Sequence, residues 1–141
     1  MYNIERLAPI MTPLVNKFYD AHGARGRAAK HDLVWVVKDT TGIIAACRLQ
    51  PVAEHWLLVG VYVSQSWRGR GIAKALITDA LSQFQGANPH SPVYTFAYTH
   101  LRSFYLTLGF CDKAQPLPDE LASRLASYLG QNRQLVAMYY A

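Results

Sequence analysis

Seven consecutive residues carry the clearest chemical signal in the chain. Arg68-Gly69-Arg70-Gly71-Ile72-Ala73-Lys74 follow the apolar run Val59-Gly60-Val61-Tyr62-Val63 and the link Ser64-Gln65-Ser66-Trp67. Gly69 and Gly71 remove side chains where an anion would approach the backbone, and the first N–H groups of a helix beginning here have no partner inside it. Those donors, with roughly half a positive charge at the helix start, favour a diphosphate. Arg68, Arg70 and Lys74 add positive charge to the same segment. Elsewhere Tyr105 is a phenol that could give up a proton, while Glu54 and His55 could accept one.

Two other glycine loops are excluded by their spacing. A Walker loop needs Gly-x-x-x-x-Gly-Lys-Ser/Thr and a dinucleotide fold needs Gly-x-Gly-x-x-Gly, and neither occurs here. Arg68-x-x-Gly71-x-Ala73 resembles the Arg/Gln-x-x-Gly-x-Gly/Ala pyrophosphate signature of the GNAT family of N-acyltransferases, whose members bind acetyl-coenzyme A or another acyl-CoA. Thirty-seven positions beyond Arg68, Tyr105 in Phe104-Tyr105-Leu106-Thr107-Leu108-Gly109-Phe110 resembles the second signature, a Tyr on a late helix closed by Gly-Phe. The resemblance covers about the whole sequence.

What it implies is an N-acetyltransferase that moves the acetyl group of acetyl-CoA to a primary amine by direct attack. The diphosphate would lie on the backbone from Arg68 through Gly69, Arg70, Gly71, Ile72 and Ala73 to Lys74. The pantetheine arm would add as a pseudo-strand against Val61 and Val63, where the fourth and fifth strands splay apart. A backbone N–H near Val63 would meet the oxyanion, and Tyr105 holds the family's general-acid position. In one respect the chain departs from the pattern. Family members often carry Asn seven positions before the tyrosine and Ala four before it, whereas here Tyr98 and Leu101 stand there. The usual side-chain contact to pantetheine is not expected from these two, and the length of the acyl group stays open.

The proton inventory is demanding. A phenol of pKa about 10 gives its proton to a thiolate of pKa about 8.5 uphill by roughly 2 kcal/mol, so positioning must compensate. A lysine-like acceptor of pKa about 10.4 is neutral about once in 2,500 molecules at pH 7, a handicap near 4.6 kcal/mol. Asp20, Asp32, Asp39, Asp79, Asp119 and Glu120 are expected on helices or turns away from the splay. Glu54 and His55, at the start of the central strand, then remain as bases, with Tyr62 as a water-holder and a water chain as the alternative.

The elements that must position these groups can be read in order. Tyr2 to Leu7 is a first strand, and Thr12 as N-cap with Pro13 opens a helix with Leu14, Val15 and Phe18 on one face, stopped by Gly23. Ala24 to His31 is basic and is expected to form a short helix near the acceptor entrance. Leu33 to Val37 and Ile43 to Cys47 form a hairpin around Asp39-Thr40-Thr41-Gly42, and Pro51 ends its second arm. Glu54 to Val63 is the next strand, with His55, Leu57, Val59, Val61 and Val63 on one face. Gly71 to Gln85 is a helix with Ile72, Leu76, Ala80, Leu81 and Phe84 as core, stopped by Gly86. Val93 to Ala97 is a strand parallel to its predecessor. Thr99 caps a helix to Leu108, Phe110 starts another strand, Asp119 to Leu129 is helical and Gln134 to Tyr140 is the last strand. The sum is an α/β single domain over 1–141, the GNAT fold, with a mixed sheet of about seven strands, helices on both faces and the splay between the fourth and fifth strands.

Length and composition fit one such domain. The 141 residues are 51% hydrophobic, enough for one core but not two. No apolar run approaches the roughly 20 residues of a membrane span and Met1 to Arg6 lacks the order of a signal peptide, which together predict a cytoplasmic protein with no membrane partner. Cys47 and Cys111 have no metal-ligand spacing and read as reduced thiols, partly buried. The net charge of +5 extends beyond the diphosphate segment to Arg25, Arg27, Lys30 and Lys38. A solvated basic face is preferred to nucleic acid there because no aromatic residues interleave these charges. The expected partner is a small-molecule, peptide or protein amine, met by a monomer or homodimer. A non-catalytic acyl-CoA-binding module and an acyltransferase acting on an RNA-linked amine are the rival readings.

Overall fold

The computed structural model describes residues 1–112 and 116–141. Six strands form one sheet in the order of the sequence: β1 (Asn3–Leu7), β2 (Leu33–Asp39), β3 (Gly42–Val52), β4 (His55–Val63), β5 (Val93–Tyr98) and β6 (Leu135–Tyr140). The sheet is mixed, with β4 and β5 parallel and the remaining neighbours antiparallel. The helices are α1 (Thr12–Ala21), α2 (Ile72–Ala87), α3 (Arg102–Thr107) and α4 (Asp119–Leu129).

Seven strands were expected, and among the described residues there are six. The strand starting at Phe110 is reduced to one antiparallel bridge between Cys111 and Tyr139, closed by paired N–H···O bonds of 2.7 and 2.8 Å. Any continuation of it past Asp112 falls on residues 113–115, outside the described residues. The chain packs as two compact units, Met1–Gln50 with Leu58–Pro89 and Pro51–Leu57 with His90–Ala141.

In the first unit, β2 is buried on both faces through Val34, Trp35, Val36 and Val37, which is why it reads as a continuous apolar run rather than an alternating one. On one side α2 packs against β1 and β2, and the Trp35 indole N–H donates to Gln83 Oε1 at 3.0 Å. Ile72, Leu76, Ile77, Ala80, Leu81 and Phe84 form its buried stripe. Each of the larger ones stabilises the docked helix by about 1.5–3 kcal/mol, ample to fix where α2 begins. On the other side Val15, Phe18 and Tyr19 of α1 cluster with Leu7, Val34, Val36 and Ala46.

Several local expectations are corrected in this unit. Thr12 does not cap α1. Its hydroxyl donates to the Pro9 carbonyl at 2.8 Å, within the short 3-10 turn Pro9–Met11. Leu14 is exposed, and Tyr19 takes the core position instead. The segment from Ala24 to His31 is not a helix, because its backbone is spoken for by side chains. Ala28 N–H donates to Asn16 Oδ1 at 2.7 Å and Ala29 N–H to Asp32 Oδ2 at 3.0 Å. Arg27 in that segment pairs with Asp20 at 2.9 Å. Gly86 lies inside α2, which runs on to Ala87. There Asn88 closes it with both its backbone N–H (2.8 Å) and its side-chain amide (3.0 Å) on the Phe84 carbonyl.

In the second unit β5 and β6 pair from Val93–Tyr140 to Tyr98–Leu135. The helix α4, bounded as expected, packs on β6 through the fully buried Leu121. Pro51 is inside β3 rather than at its end. One residue from the terminus, its missing N–H removes at most one bond from the ladder. The reversal into β4 follows at Ala53, held left-handed at φ 54°.

Candidate active site

The link from β4 to α2 is built as a succession of tight turns. Ser64 N–H donates to the Ile44 carbonyl at 2.8 Å, and Gln65–Trp67 makes one 3-10 turn, closed by Trp67 N–H on Ser64 (2.9 Å) and Arg68 N–H on Gln65 (3.3 Å). Gly69 and Gly71 then adopt left-handed φ values of 77° and 75°, a region costly to residues that carry a Cβ. Nothing lies within 4 Å of where either Cβ would stand. The first helical bond is Ala75 N–H to Gly71 O at 3.1 Å, so the Ile72, Ala73 and Lys74 amides precede the ladder. No acidic side chain occupies the first turn of α2.

This segment meets the requirements of a diphosphate: unladdered amides, a helix of 16 residues behind them, open space in front of two glycines, and cations alongside. Ile72 faces the core, whereas Arg68, Arg70 and Lys74 are exposed. The two arginines lie on aromatic rings. The Arg68 guanidinium sits 5.2 Å from the Tyr62 ring centre and Nε donates to the Val63 carbonyl at 2.9 Å. Arg70 stands 4.9 Å over Trp67, whose ring meets the edge of Tyr2. Val61 and Val63 are half-buried, and the Tyr62 hydroxyl donates to the His22 carbonyl at 3.4 Å.

Regular alternation along β4 fails at Gly60, which is left-handed at φ 63°. Leu57 and Leu58 before it are both buried, and with a left-handed residue inside the strand the five residues expected on one face do not keep one phase. Around Gly60 stands a polar group that the sequence reading missed. Tyr19, fully buried, donates its hydroxyl to the Gly60 carbonyl at 2.7 Å. Arg48, only 4% exposed, lies 5.2 Å from the Tyr19 ring centre. Its Nη1 donates to Asp32 Oδ2 at 3.0 Å and to the Arg27 carbonyl, while its buried Nε makes no hydrogen bond among the described residues. Burial holds the Tyr19 phenol well above its ordinary pKa, against the lowering pull of Arg48. The one signal available in sequence was a glycine in mid-strand.

The other sequence-derived residues belong to the second unit. Tyr105 in α3 is buried, its ring edge-on to Phe104 and Phe110 at 5.2 and 5.5 Å. Gly109 is left-handed at φ 99° and admits the Tyr140 ring to within 3.0 Å of its Cβ position, which explains the Gly-Phe pair that closes the helix. Glu54 is exposed in the turn before β4. His55 stands edge-on to Tyr94, with Nε2 4.0 Å from Glu120 Oε1, so α4 brings an acid to the start of β4, a pairing the sequence did not show. Beside it an open cleft of about 750 Å³ is lined by Val52, Ala53, Asp119, Glu120, Ser127 and Tyr128. The structure thus gathers Val61, Val63 and Arg68 to Lys74 in one unit, and Tyr105 and Glu54 in the other.

A family model described as the Acetyltransferase (GNAT) domain matches residues 30–112. The chain belongs to the GNAT family. The match runs from the loop before β2 through the glycine turn and Tyr105 to Asp112. No curated protein matches the sequence of this GNAT protein. Its fold is similar to that of Escherichia coli ElaA, with a TM-score of 0.74 and 16% identity over 100% of both chains. It is similar also to Rv2747 from Mycobacterium tuberculosis in complex with CoA and NLQ, at 0.72 and 16% over 99% of this chain and 98% of that one. A predicted acetyltransferase with acetyl-CoA from Clostridium acetobutylicum gives 0.62 and 16% over 87% and 98%. At these identities the neighbours establish the fold and leave the acceptor open. Among the described residues no helix is long and apolar enough to cross a membrane.

Proposed function

We propose that this GNAT protein is a cytoplasmic N-acetyltransferase that takes an acetyl group from acetyl-CoA and gives it to a primary amine of a small molecule, peptide or protein. The observation that carries the reading is the turn from Arg68 to Lys74, where two left-handed glycines leave open space in front of unladdered amides at the start of a long helix. Acetyl-CoA supplies an acyl group activated as a thioester. The amides from Gly69 to Lys74 hold its diphosphate, and Arg68, Arg70 and Lys74 neutralise it. The β4 backbone at Val61 and Val63 aligns the arm that carries the thioester, and an N–H of this strand polarises the acyl oxygen. Tyr105 returns a proton to the departing sulfur, and Glu54 draws the proton from the incoming amine through water.

The test is release of free thiol from acetyl-CoA across a panel of amines, polyamines, amino acids and peptides. Turnover with at least one amine is expected, and binding of acetyl-CoA without turnover on any acceptor class would remove the enzymatic reading. Tyr105→Phe should lower kcat at least about 100-fold and leave acetyl-CoA affinity within about twofold, as loss of a general acid does. The aromatic packing of Tyr105 favours a second reading, a binding module without chemistry. That reading prevails if Tyr105→Phe leaves every measured activity unchanged.

A further inference from the structure

The group around Gly60 is a poor way to obtain stability alone. A buried ion pair is often replaceable by apolar side chains without loss, and an arginine whose Nε is left unpaired in the interior carries a desolvation cost. What the group does achieve is to fix one peptide bond. A trans peptide is planar, with its C=O and N–H pointing in opposite directions. The Gly60 carbonyl is held by the Tyr19 hydroxyl at 2.7 Å, so the Val61 N–H of that same peptide is aimed away from Tyr19.

The surroundings allow the peptide little freedom. A Cβ on Gly60 would stand 2.7 Å from Arg48 Nε, 2.8 Å from its Nη2 and 2.9 Å from the Tyr19 hydroxyl, so the space a side chain would use is already full. Arg48 is in turn clamped by Asp32, whose side chain is 1% exposed, and by the Arg27 carbonyl. The raised pKa of Tyr19 keeps its hydroxyl a donor throughout the neutral range.

We propose that Tyr19, backed by Arg48 and Asp32, is a positioning residue that locks the Gly60–Val61 peptide and so fixes the Val61 N–H as the donor to the acyl oxygen. The proposal rests on the acyl-transfer reading above and specifies which amide of β4 serves. A donor fixed before the reaction needs no reorganisation during it, and removing a single donor of this kind costs about 10²–10³ in kcat. Tyr19→Phe frees the donor to swing rather than deleting it, so a smaller loss is expected.

The experiment combines kinetics with amide NMR. Tyr19→Phe should lower kcat about 10- to 50-fold with KM for acetyl-CoA within about twofold and the fold intact. In the unaltered protein the Val61 amide should differ between the acetyl-CoA and CoA complexes, and in Tyr19→Phe that difference should collapse. Arg48→Lys, which keeps the charge but not the planar fork, should recover part of the rate lost in Arg48→Met. Full kcat together with an unaltered Val61 response in Tyr19→Phe overturns the proposal. Should that variant not fold, Asp32→Asn takes its place: lower kcat at unchanged KM supports the lock, and unchanged kcat overturns it. If acetyl-CoA moves neither the Ile72 nor the Ala73 amide of the unaltered protein, the donor reading itself falls and takes the lock with it. Shifts at those two amides with a Val61 response indifferent to Tyr19 remove the lock alone.

Discussion

Gly60 and Gly71 stand eleven residues apart on one stretch of chain, with nearly the same left-handed backbone, φ 63° and 75°. Their surroundings are opposite. A side-chain carbon at Gly71 would meet nothing within 4 Å, whereas one at Gly60 would collide with Arg48 and Tyr19 below 3 Å. Both positions favour glycine through φ, but only Gly60 demands it through packing. Open space beside a strained backbone is room for something that arrives later, while filled space is a setting already made. On the function proposed above, Gly71 leaves room for a diphosphate and Gly60 belongs to a peptide fixed beside the acyl group.

The largest effect is expected at Gly71. Gly71→Glu puts a carboxylate where the diphosphate should lie, and acetyl-CoA affinity should fall at least 1,000-fold, about 4 kcal/mol. Calorimetry that finds the affinity unchanged would remove the diphosphate assignment. Thermal stability should suffer less, by about 1–2 kcal/mol, since the cost is backbone strain without a clash. Next in size is Gly60→Ala, where strain and overpacking add. Unfolding in urea should show a loss of about 3 kcal/mol. A loss no greater than that of Gly71→Ala would mean that the Arg48 and Tyr19 contacts are slack.

The smallest effect sharpens the same contrast at the two thiols. Cys47 is fully buried and its pKa is pushed up to about 12 by that burial, while Cys111 is exposed. One thiol should react with a disulfide reagent in the native protein and the second only after unfolding. Because the unfolded chain would ionise Cys47 first, stability should decline as pH rises from about 9 towards 12, and Cys47→Ala should flatten that decline. Two thiols reacting at one rate would contradict the burial of β3.

Much of this was visible in the residues. The β2–β3 hairpin, the buried stripe of α2 and both ends of α4 follow from local pattern, because apolar period and turn chemistry agree there. The glycine turn from Arg68 to Lys74 was visible for a related reason: its glycines, cations and helix start are neighbours in sequence. What escaped was long-range. Arg48 looks like an ordinary arginine, yet it is buried where Asp32, the Arg27 carbonyl and the Tyr19 ring, all distant in sequence, meet it. The basic segment after Gly23 has helix-compatible residues, yet Asn16 and Asp32 claim its amides first. Glu120 reaches His55 because α4 lies beside the start of β4, a placement no local pattern encodes.

The sheet order has a consequence for biosynthesis. Every strand lies beside the one made immediately before it, from the first to the sixth. Each can therefore dock on an edge already formed as the polypeptide leaves the ribosome, and none needs to be threaded between two that are already joined. The β2–β3 and β3–β4 reversals close over Thr40–Thr41 and Ala53–Glu54 alone, which favours fast pairing at the centre of the sheet and limits the time during which those nascent edges are open to aggregation.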